Sequence, residues 1–120
     1  MPTVRYFQDA GGSIPVADYI VSLDRAGRGA EAARILSDIE LLAEIGMAGA
    51  QQMGRSFSRL IDRELRIWEL RPGNHRIAYA AIADELVLLH AWRKQTRRLD
   101  PRALQNAQRN YWRAVDRRGE

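Results

Sequence analysis

The sequence predicts a single α+β domain in which a helical hairpin covers one face of a small twisted antiparallel sheet. Apolar residues keep helical spacing through much of residues 15–46, and residues 64–92 divide into three strand-like segments joined by very short connections. An Asp-Pro pair then opens a last amphipathic segment. The predicted order is β-α-α-β-β-β-α. At 120 residues the chain can bury one core and is too short for a second.

The chain opens with a predicted strand and a short helix. The segment TVRYFQ (3–8) is rich in β-forming residues and ends at the glycine-rich turn DAGGS. Pro15 suits the first turn of a helix, which we expect over about 15–24. One face of this helix carries apolar residues at i, i+4 and i+7, namely Val16, Ile20 and Leu23.

A second helix is predicted after RAGRG. Ile35, Ile39, Leu42 and Ile45 keep helical spacing up to Gly46, where a helix of about 17 residues should stop. Two successive amphipathic helices form the predicted hairpin. The segment MAGAQQMGRSFS (47–58) has no clear period and two glycines, so we expect a loop that is either mobile or covers a site.

The second half of the chain reads as a three-stranded meander and a closing helix. The segments ELRIWELR (64–71), HRIAYAAI (75–82) and ELVLLHAW (85–92) are joined by PGN and AD, connections that only antiparallel neighbours can use. Asp100 can cap a helix that starts at Pro101. Its apolar stripe is Leu104, Ala107, Tyr111 and Val115.

Positive charge is concentrated in the second half. Residues 1–60 carry a net charge of −1 and residues 61–120 one of +5, and residues 93–118 hold nine Lys or Arg against two Asp. This density favours a polyanionic partner such as nucleic acid, although a solvated helix face would look the same. The absence of cysteine and the lack of any apolar run longer than seven residues indicate a cytoplasmic protein without a membrane partner.

Few residue patterns point to chemistry on their own. His75 and His90 have no second ligand at metal-binding spacing, so no metal is expected, and neither a phosphate-binding P-loop nor a serine nucleophile elbow occurs. In HRIAYAAI, Arg76 shares a strand face with Ala78 and Ala80. That face could form the floor of an anion site, or the arginine could simply point to solvent.

The segments WELR (68–71), RIAY (76–79) and LHAWRKQT (89–96), followed by Pro101, carry a resemblance to a known family. Their order and spacing resemble the phage-derived Gp49-like, HigB-type branch of the RelE/ParE toxin superfamily, with its "lwELR" strand, "yRi.Y" strand and "vlLhgF.KKtqktP" stretch before a final helix. The segment YFQDAGGSIPVADYIVSL is similar to the family's opening strand and helix. The resemblance therefore covers nearly the whole chain and implies a RelE-like fold.

The resemblance also implies a function. Members of this kind are toxins of type II toxin–antitoxin modules, so the resemblance implies an endoribonuclease that cuts mRNA, generally on the ribosome and without a cofactor. The implied partners are the ribosome, mRNA and a small helix-turn-helix antitoxin of the HigA type. Position by position, Arg71, Arg76 and Lys94 match the basic residues on the substrate side of the family's sheet.

Two departures from the family pattern bear on the mechanism. Gln95 follows Lys94 where the family commonly reads KKT, and Ile67 and Glu69 stand where RelE has two lysines. These substitutions are compatible with a variant mechanism and also with a toxin that has lost activity.

Metal-free RNA cleavage needs a base, an acid and cations for the crowded phosphate. Arginine stays protonated but its planar fork suits phosphate, which assigns Arg71 and Arg76 to binding and transition-state charge. Lys94, the only lysine, is a candidate for proton transfer because, unlike its neighbouring arginines, it can release a proton. Glu69 and His75 are competing candidates for proton transfer, and the sequence leaves the three unranked. Further RNA contacts are expected from Arg66, Arg93, Gln95, Thr96, Arg97 and Arg98.

Two other classes of function remain open at this point. A ParE-like toxin has a similar architecture but inhibits DNA gyrase without cutting RNA, and fold alone does not separate the two. A non-toxic RNA-binding module is the other alternative, since Trp92 and Tyr111 could stack on bases, although aromatics at such positions more often belong to the core.

Overall fold

The fold is taken from a computed structural model that describes residues 3–118. The α+β class predicted from the sequence is confirmed. The elements, in chain order, are β1 (Thr3–Tyr6), α1 (Pro15–Arg25), α2 (Gly29–Met53), β2 (Ser58–Asp62), β3 (Ile67–Leu70), β4 (His75–Ile82), β5 (Glu85–Arg93) and α3 (Pro101–Arg118).

The sheet has five strands in the order β1-β5-β4-β3-β2. Strands β2 to β5 form an antiparallel meander, and β1 joins the far edge parallel to β5. The sheet is therefore mixed, and the expectation of a purely antiparallel one was wrong. Its meander also has four strands where three were predicted, because Ser58 had been placed in the predicted loop 47–58 and residues 59–62 had been assigned to no element.

Helices cover both faces of the sheet. The predicted hairpin of α1 and α2 is confirmed on one face, where large side chains such as Ile35, Leu42 and Ile77 form its core. Helix α3 covers the other face, against smaller strand residues that include Ala78 and Ala80. Burial of this apolar area is the main stabilising contribution. None of the helices within residues 3–118 is long and apolar enough to cross a membrane.

The segment between the hairpin and the sheet differs most from the prediction. Gly46 does interrupt the helix, with φ of +70°, but the chain resumes a helical path up to Met53 instead of forming a loop. A residue without Cβ is favoured at such a φ. Farther on, the predicted strand 64–71 begins only at Ile67, because Arg66 has φ of +57° in the turn that joins β2 to β3.

Strand β5 contains a β-bulge that changes which face its side chains occupy. Ala78 pairs with His90 and Tyr79 with Leu88, so Leu89 is the extra residue. Asn110 on α3 is buried and its Nδ2 donates a hydrogen bond to the Leu89 carbonyl oxygen at 2.8 Å. The helix thereby satisfies the carbonyl at the bulge and is held in position on this face of the sheet.

Candidate functional site

A cationic cavity of about 240 Å³ lies at the end of the sheet where β4 starts and β5 ends, on the face that α3 covers. Residues from four strands, β2 to β5, line it from below, and the loop between β5 and α3 supplies its rim. Six cations and two carboxylates are among the lining residues, so the cavity suits an anion. The lining residues are Arg59, Glu69, Arg71, Arg76, Trp92, Lys94, Gln95, Thr96, Arg97, Arg98, Leu99, Asp100 and Pro101.

Glu69 organises the floor of the cavity. Its side chain is almost completely buried, and its Oε2 lies 3.1 Å from Nε of Arg59 on the adjacent strand. The same oxygen lies 3.6 Å from Nε of Arg71 and 3.8 Å from Nε of Arg76. One carboxylate therefore faces three guanidiniums and leaves a net positive charge. Oε2 has no hydrogen-bond partner within residues 3–118, and neither has Nε of Arg59 or of Arg71.

Arg71 and Arg76 are each anchored by backbone carbonyls. Nη1 of Arg71 donates to the carbonyl oxygen of Arg55 at 2.7 Å. Nη1 of Arg76 donates to the carbonyl oxygens of Gly73 and His75, at 2.9 and 2.8 Å. Burial lowers the pKa of Arg76, and the neighbouring charge of Arg71 lowers it further. These guanidiniums are fixed in place before any ligand arrives, as an anion site requires.

Lys94 stands at the rim, immediately after β5. Its backbone nitrogen donates to the carbonyl oxygen of Asn74 at 2.7 Å, which ties the start of the rim loop to the turn before β4. Its side chain is exposed and lines the cavity. At the other end of the loop, Asp100 Oδ1 accepts a 2.9 Å hydrogen bond from the backbone nitrogen of Arg102 and caps α3 as predicted.

The bulge at Leu89 decides which residues reach the cavity. Leu86 and Leu88 point toward the hairpin, and strict alternation would send Trp92 the same way. Because of the extra residue, Trp92 lies on the face of α3, opposite Arg76 in the ladder and stacked on His90 with ring centroids 5.7 Å apart. The same change of face brings Lys94 to the cavity that Arg76 also lines.

The model of the phage-derived Gp49-like protein family matches residues 18–112. The chain belongs to this family. It is a toxin family of the RelE/HigB type, which confirms the family recognised from the WELR, RIAY and LHAWRKQT segments. None of the curated proteins matches the chain.

In this Gp49-like chain, most of the site residues predicted from the sequence come together around the cavity. Glu69, Arg71 and Arg76 form its floor, while Lys94, Gln95, Thr96, Arg97 and Arg98 form its rim. Arg66 does not belong to the lining, since it is exposed in the turn between β2 and β3. Arg93 pairs with His75 in the ladder and interacts electrostatically with Tyr19 and Glu31 on the hairpin side.

His75 is the proton-transfer candidate that the fold separates from the others. It is buried beneath the hairpin, with Nδ1 at 2.7 Å from the Tyr19 hydroxyl and Nε2 at 2.8 Å from Glu31 Oε1. The hydrogen bond to His75 is the main cause that lowers the pKa of Glu31. His75 and Arg76 are adjacent in β4, and because successive side chains of a strand alternate between its faces, the two residues lie on opposite faces of the sheet.

Sequence reasoning missed Arg59 as a site residue. It lies on β2 directly opposite Glu69 and makes the shortest of the three contacts to that carboxylate. Its segment FSRLID (57–62) carries only a weak strand signal, because its apolar and polar residues do not alternate strictly. Trp92, which had been considered more typical of the core, lines the cavity as well as contacting the core on the α3 side. Within residues 3–118, no group of three His, Cys, Asp or Glu is placed to hold a metal ion.

Proposed function

We propose that this Gp49-like protein is the toxin of a toxin–antitoxin module and acts as a metal-independent endoribonuclease that cleaves mRNA on the ribosome. The observation that supports the proposal is the cavity floor, where the buried Glu69 carboxylate gathers Arg59, Arg71 and Arg76 beneath an exposed lysine. Excess positive charge fixed in a partly desolvated cavity favours a phosphodiester whose negative charge grows in the transition state.

The proposed reaction is attack of a ribose 2′-oxygen on the adjacent phosphorus. The 2′-hydroxyl proton passes to a base as the new O–P bond forms, and the bond from phosphorus to the 5′-oxygen breaks as that oxygen takes up a proton. The products are a 2′,3′-cyclic phosphate and a 5′-hydroxyl. Arg71 and Arg76 hold the non-bridging oxygens, for which the planar guanidinium is well shaped.

Lys94 is the proton-transfer residue that the geometry favours. His75 lies on the other face of the sheet with both ring nitrogens engaged. Glu69 is buried under three guanidiniums, which makes it a positioning residue for Arg59, Arg71 and Arg76. The amine of Lys94 is exposed at the cavity rim, where a substrate can reach it. Arg97 and Arg98 on the rim bind phosphate and take no part in proton transfer.

The proposed partners are those that the family resemblance implies, and the charge distribution is compatible with them. Ribosomal RNA and mRNA present the phosphates that a cationic cavity selects, and log affinity should fall linearly with log salt concentration as counterions are released. The proposed HigA-like antitoxin would inhibit by covering the cavity or by placing carboxylates against its arginines. Cytoplasmic localisation is part of the proposal, since that is where translating ribosomes are found.

The test is cleavage of a defined mRNA in a translating extract, with the 5′ ends of the products mapped. We expect Lys94→Arg, which keeps the charge, to lose most of the activity, because general acid–base catalysis contributes roughly 10²–10⁴-fold. Arg97→Lys is the matched control and should cleave nearly as fast as the parent protein. Parental cleavage by Lys94→Arg would refute the role given to this residue. A DNA-damage response without cut mRNA would point to gyrase instead.

A further inference from the structure

A second cationic surface runs along the solvent-exposed side of α3, outside the cavity. Arg102, Arg109 and Arg113 are all exposed there. At 3.6 residues per turn they fall within about 40° of one another and span roughly 16 Å along the helix axis. Within residues 3–118, none of the three forms an ion pair with a carboxylate.

Trp112 lies beside this row, close to one turn after Arg109 and about 60° from it around the helix. Its side chain is 53% exposed, and its described ring contact is an edge-on one with Tyr111 at a centroid distance of 5.3 Å. The buried residues of α3, such as Ala103, Ala107 and Ala114, lie nearly opposite on the helical wheel. The indole therefore points away from the core. Positive charge alone is typical of a solvated helix face, but a large exposed aromatic next to Arg109 and Arg113 is not explained by solubility.

We propose that this surface, the α3 ridge of Arg102, Arg109, Trp112 and Arg113, is a second binding site for single-stranded RNA. A base stacks on the Trp112 indole while the arginines contact the flanking phosphates. Aromatic rings next to cations bind single strands without sequence preference, because every base offers a flat face.

The ridge continues directly from the cavity. Asp100 and Pro101 line the cavity and also start α3, so an RNA strand that leaves the rim meets Arg102 next. At the other end, the ridge stops where Asp116 and Asp9 line a separate cavity together with Arg113. The acids set a limit to the phosphate path, which is therefore confined to the part of α3 between Arg102 and Arg113.

This inference deepens the proposed function by giving the substrate a path beyond the scissile phosphate, but its test needs no cleavage. The experiment measures binding of a 2′-O-methyl RNA of about 16 nucleotides, which cannot be cut, by fluorescence anisotropy. Binding of a 2′-O-methyl trinucleotide, which is long enough to occupy the cavity only, is measured in parallel. Melting temperatures of all variants confirm that they fold.

We expect Trp112→Ala to weaken binding of the long RNA roughly 5- to 150-fold, as loss of one stacked base does, and to leave trinucleotide binding unchanged. Trp112→Phe should restore most of the affinity, because a flat ring remains. Arg109→Ala should lower the slope of log affinity against log salt by about 0.7, the change for one phosphate contact on a single strand. Arg25→Ala, which removes an exposed arginine from α1, is the matched control and should change neither quantity.

If Trp112→Ala bound the long RNA as tightly as the parent protein, the proposal that the α3 ridge binds RNA would be overturned. Binding of a polyglutamate peptide that depends on Trp112 while RNA binding does not would also overturn it, since the surface would then serve an acidic protein. The outcome is independent of the cleavage assay. If the protein binds RNA through the α3 ridge but cuts none, the proposed nuclease activity is rejected and the second RNA site stands. If it cuts RNA and Trp112→Ala has no effect on binding, the nuclease activity stands and the second RNA site is rejected.

Discussion

The two faces of the sheet solve the problem of buried polar groups in opposite ways. Under the hairpin, the buried His75 ring has a partner for each nitrogen, in Tyr19 and Glu31. On the α3 side, Oε2 of Glu69 has no hydrogen-bond partner within residues 3–118, although three guanidiniums surround it. A satisfied network stabilises a fold, whereas unsatisfied groups held close together are poised to bind a ligand. This difference supports our proposal that the ligand site lies on the α3 face and that the hairpin face is structural.

The largest expected effect comes from removing a cation of the cavity floor. Arg76→Ala should reduce RNA cleavage by about 10²–10³-fold, the usual loss for one preorganised transition-state contact. Rates under single-turnover conditions measure this effect. Arg66→Ala removes an exposed arginine outside the cavity and should cleave normally. Equal losses in the two variants would show that general charge, and not the cavity, determines activity.

The next effect sharpens the contrast by removing the shared carboxylate. Glu69→Gln keeps the shape of the side chain but leaves three guanidiniums without their counter-charge. We expect the free energy of unfolding to fall by about 1–3 kcal/mol, less than for fully buried pairs because Arg59 and Arg71 are partly exposed. Denaturant unfolding measures the loss. A more stable variant would mean that the cost of burying the Glu69 carboxylate outweighs its attraction to the three guanidiniums.

A smaller effect is expected on the hairpin face. Tyr19→Phe removes the hydroxyl at 2.7 Å from Nδ1 of His75 and should cost about 1 kcal/mol of folding free energy. Its rate of RNA cleavage should match that of the parent at a temperature where both are folded. If Tyr19→Phe lowered the rate of RNA cleavage as much as Arg76→Ala does, the assignment of different functions to the two faces would be mistaken.

The smallest effect concerns pH and the α3 face. Burial lowers the pKa of His90, with a further contribution from the charge of Arg109, while Asp100 opposes the shift. The unfolded chain therefore binds this proton more readily than the folded protein. Stability from this group is present above about pH 6.5 and is lost as the pH falls through the lower folded value. His90→Gln should flatten this part of a plot of unfolding free energy against pH, and an unchanged slope would count against the assignment.

These contrasts also explain what the sequence could and could not predict. Helical spacing and the Asp100-Pro101 pair led to the hairpin and α3, because their signals are local. Part of the cavity floor was predictable, since alternation put Arg76 on a possible anion-binding face and the family resemblance added Arg71. Applied strictly, the same alternation also separates His75 from Arg76.

Other features depend on contacts that the local sequence does not encode. β2 is a half-exposed edge strand whose polar residues resemble a loop until its pairing with β3 is known. The extra residue at Leu89 is visible only in the register between β4 and β5, so no pattern within β5 shows that Trp92 changes face. The helical residues that follow Gly46 were not predicted, because a glycine with positive φ commonly ends a helix.

The parallel pairing of β1 with β5 has a consequence for folding time. Thr3 pairs with Glu85, 82 residues later, whereas every other strand pairs with a neighbour in the chain. Contacts of such separation carry a large loop-closure cost and form slowly. We expect the antiparallel meander to form first and the β1 edge to close last, after the floor of the cationic cavity has been assembled. The cationic surface would then precede completion of the domain that carries it.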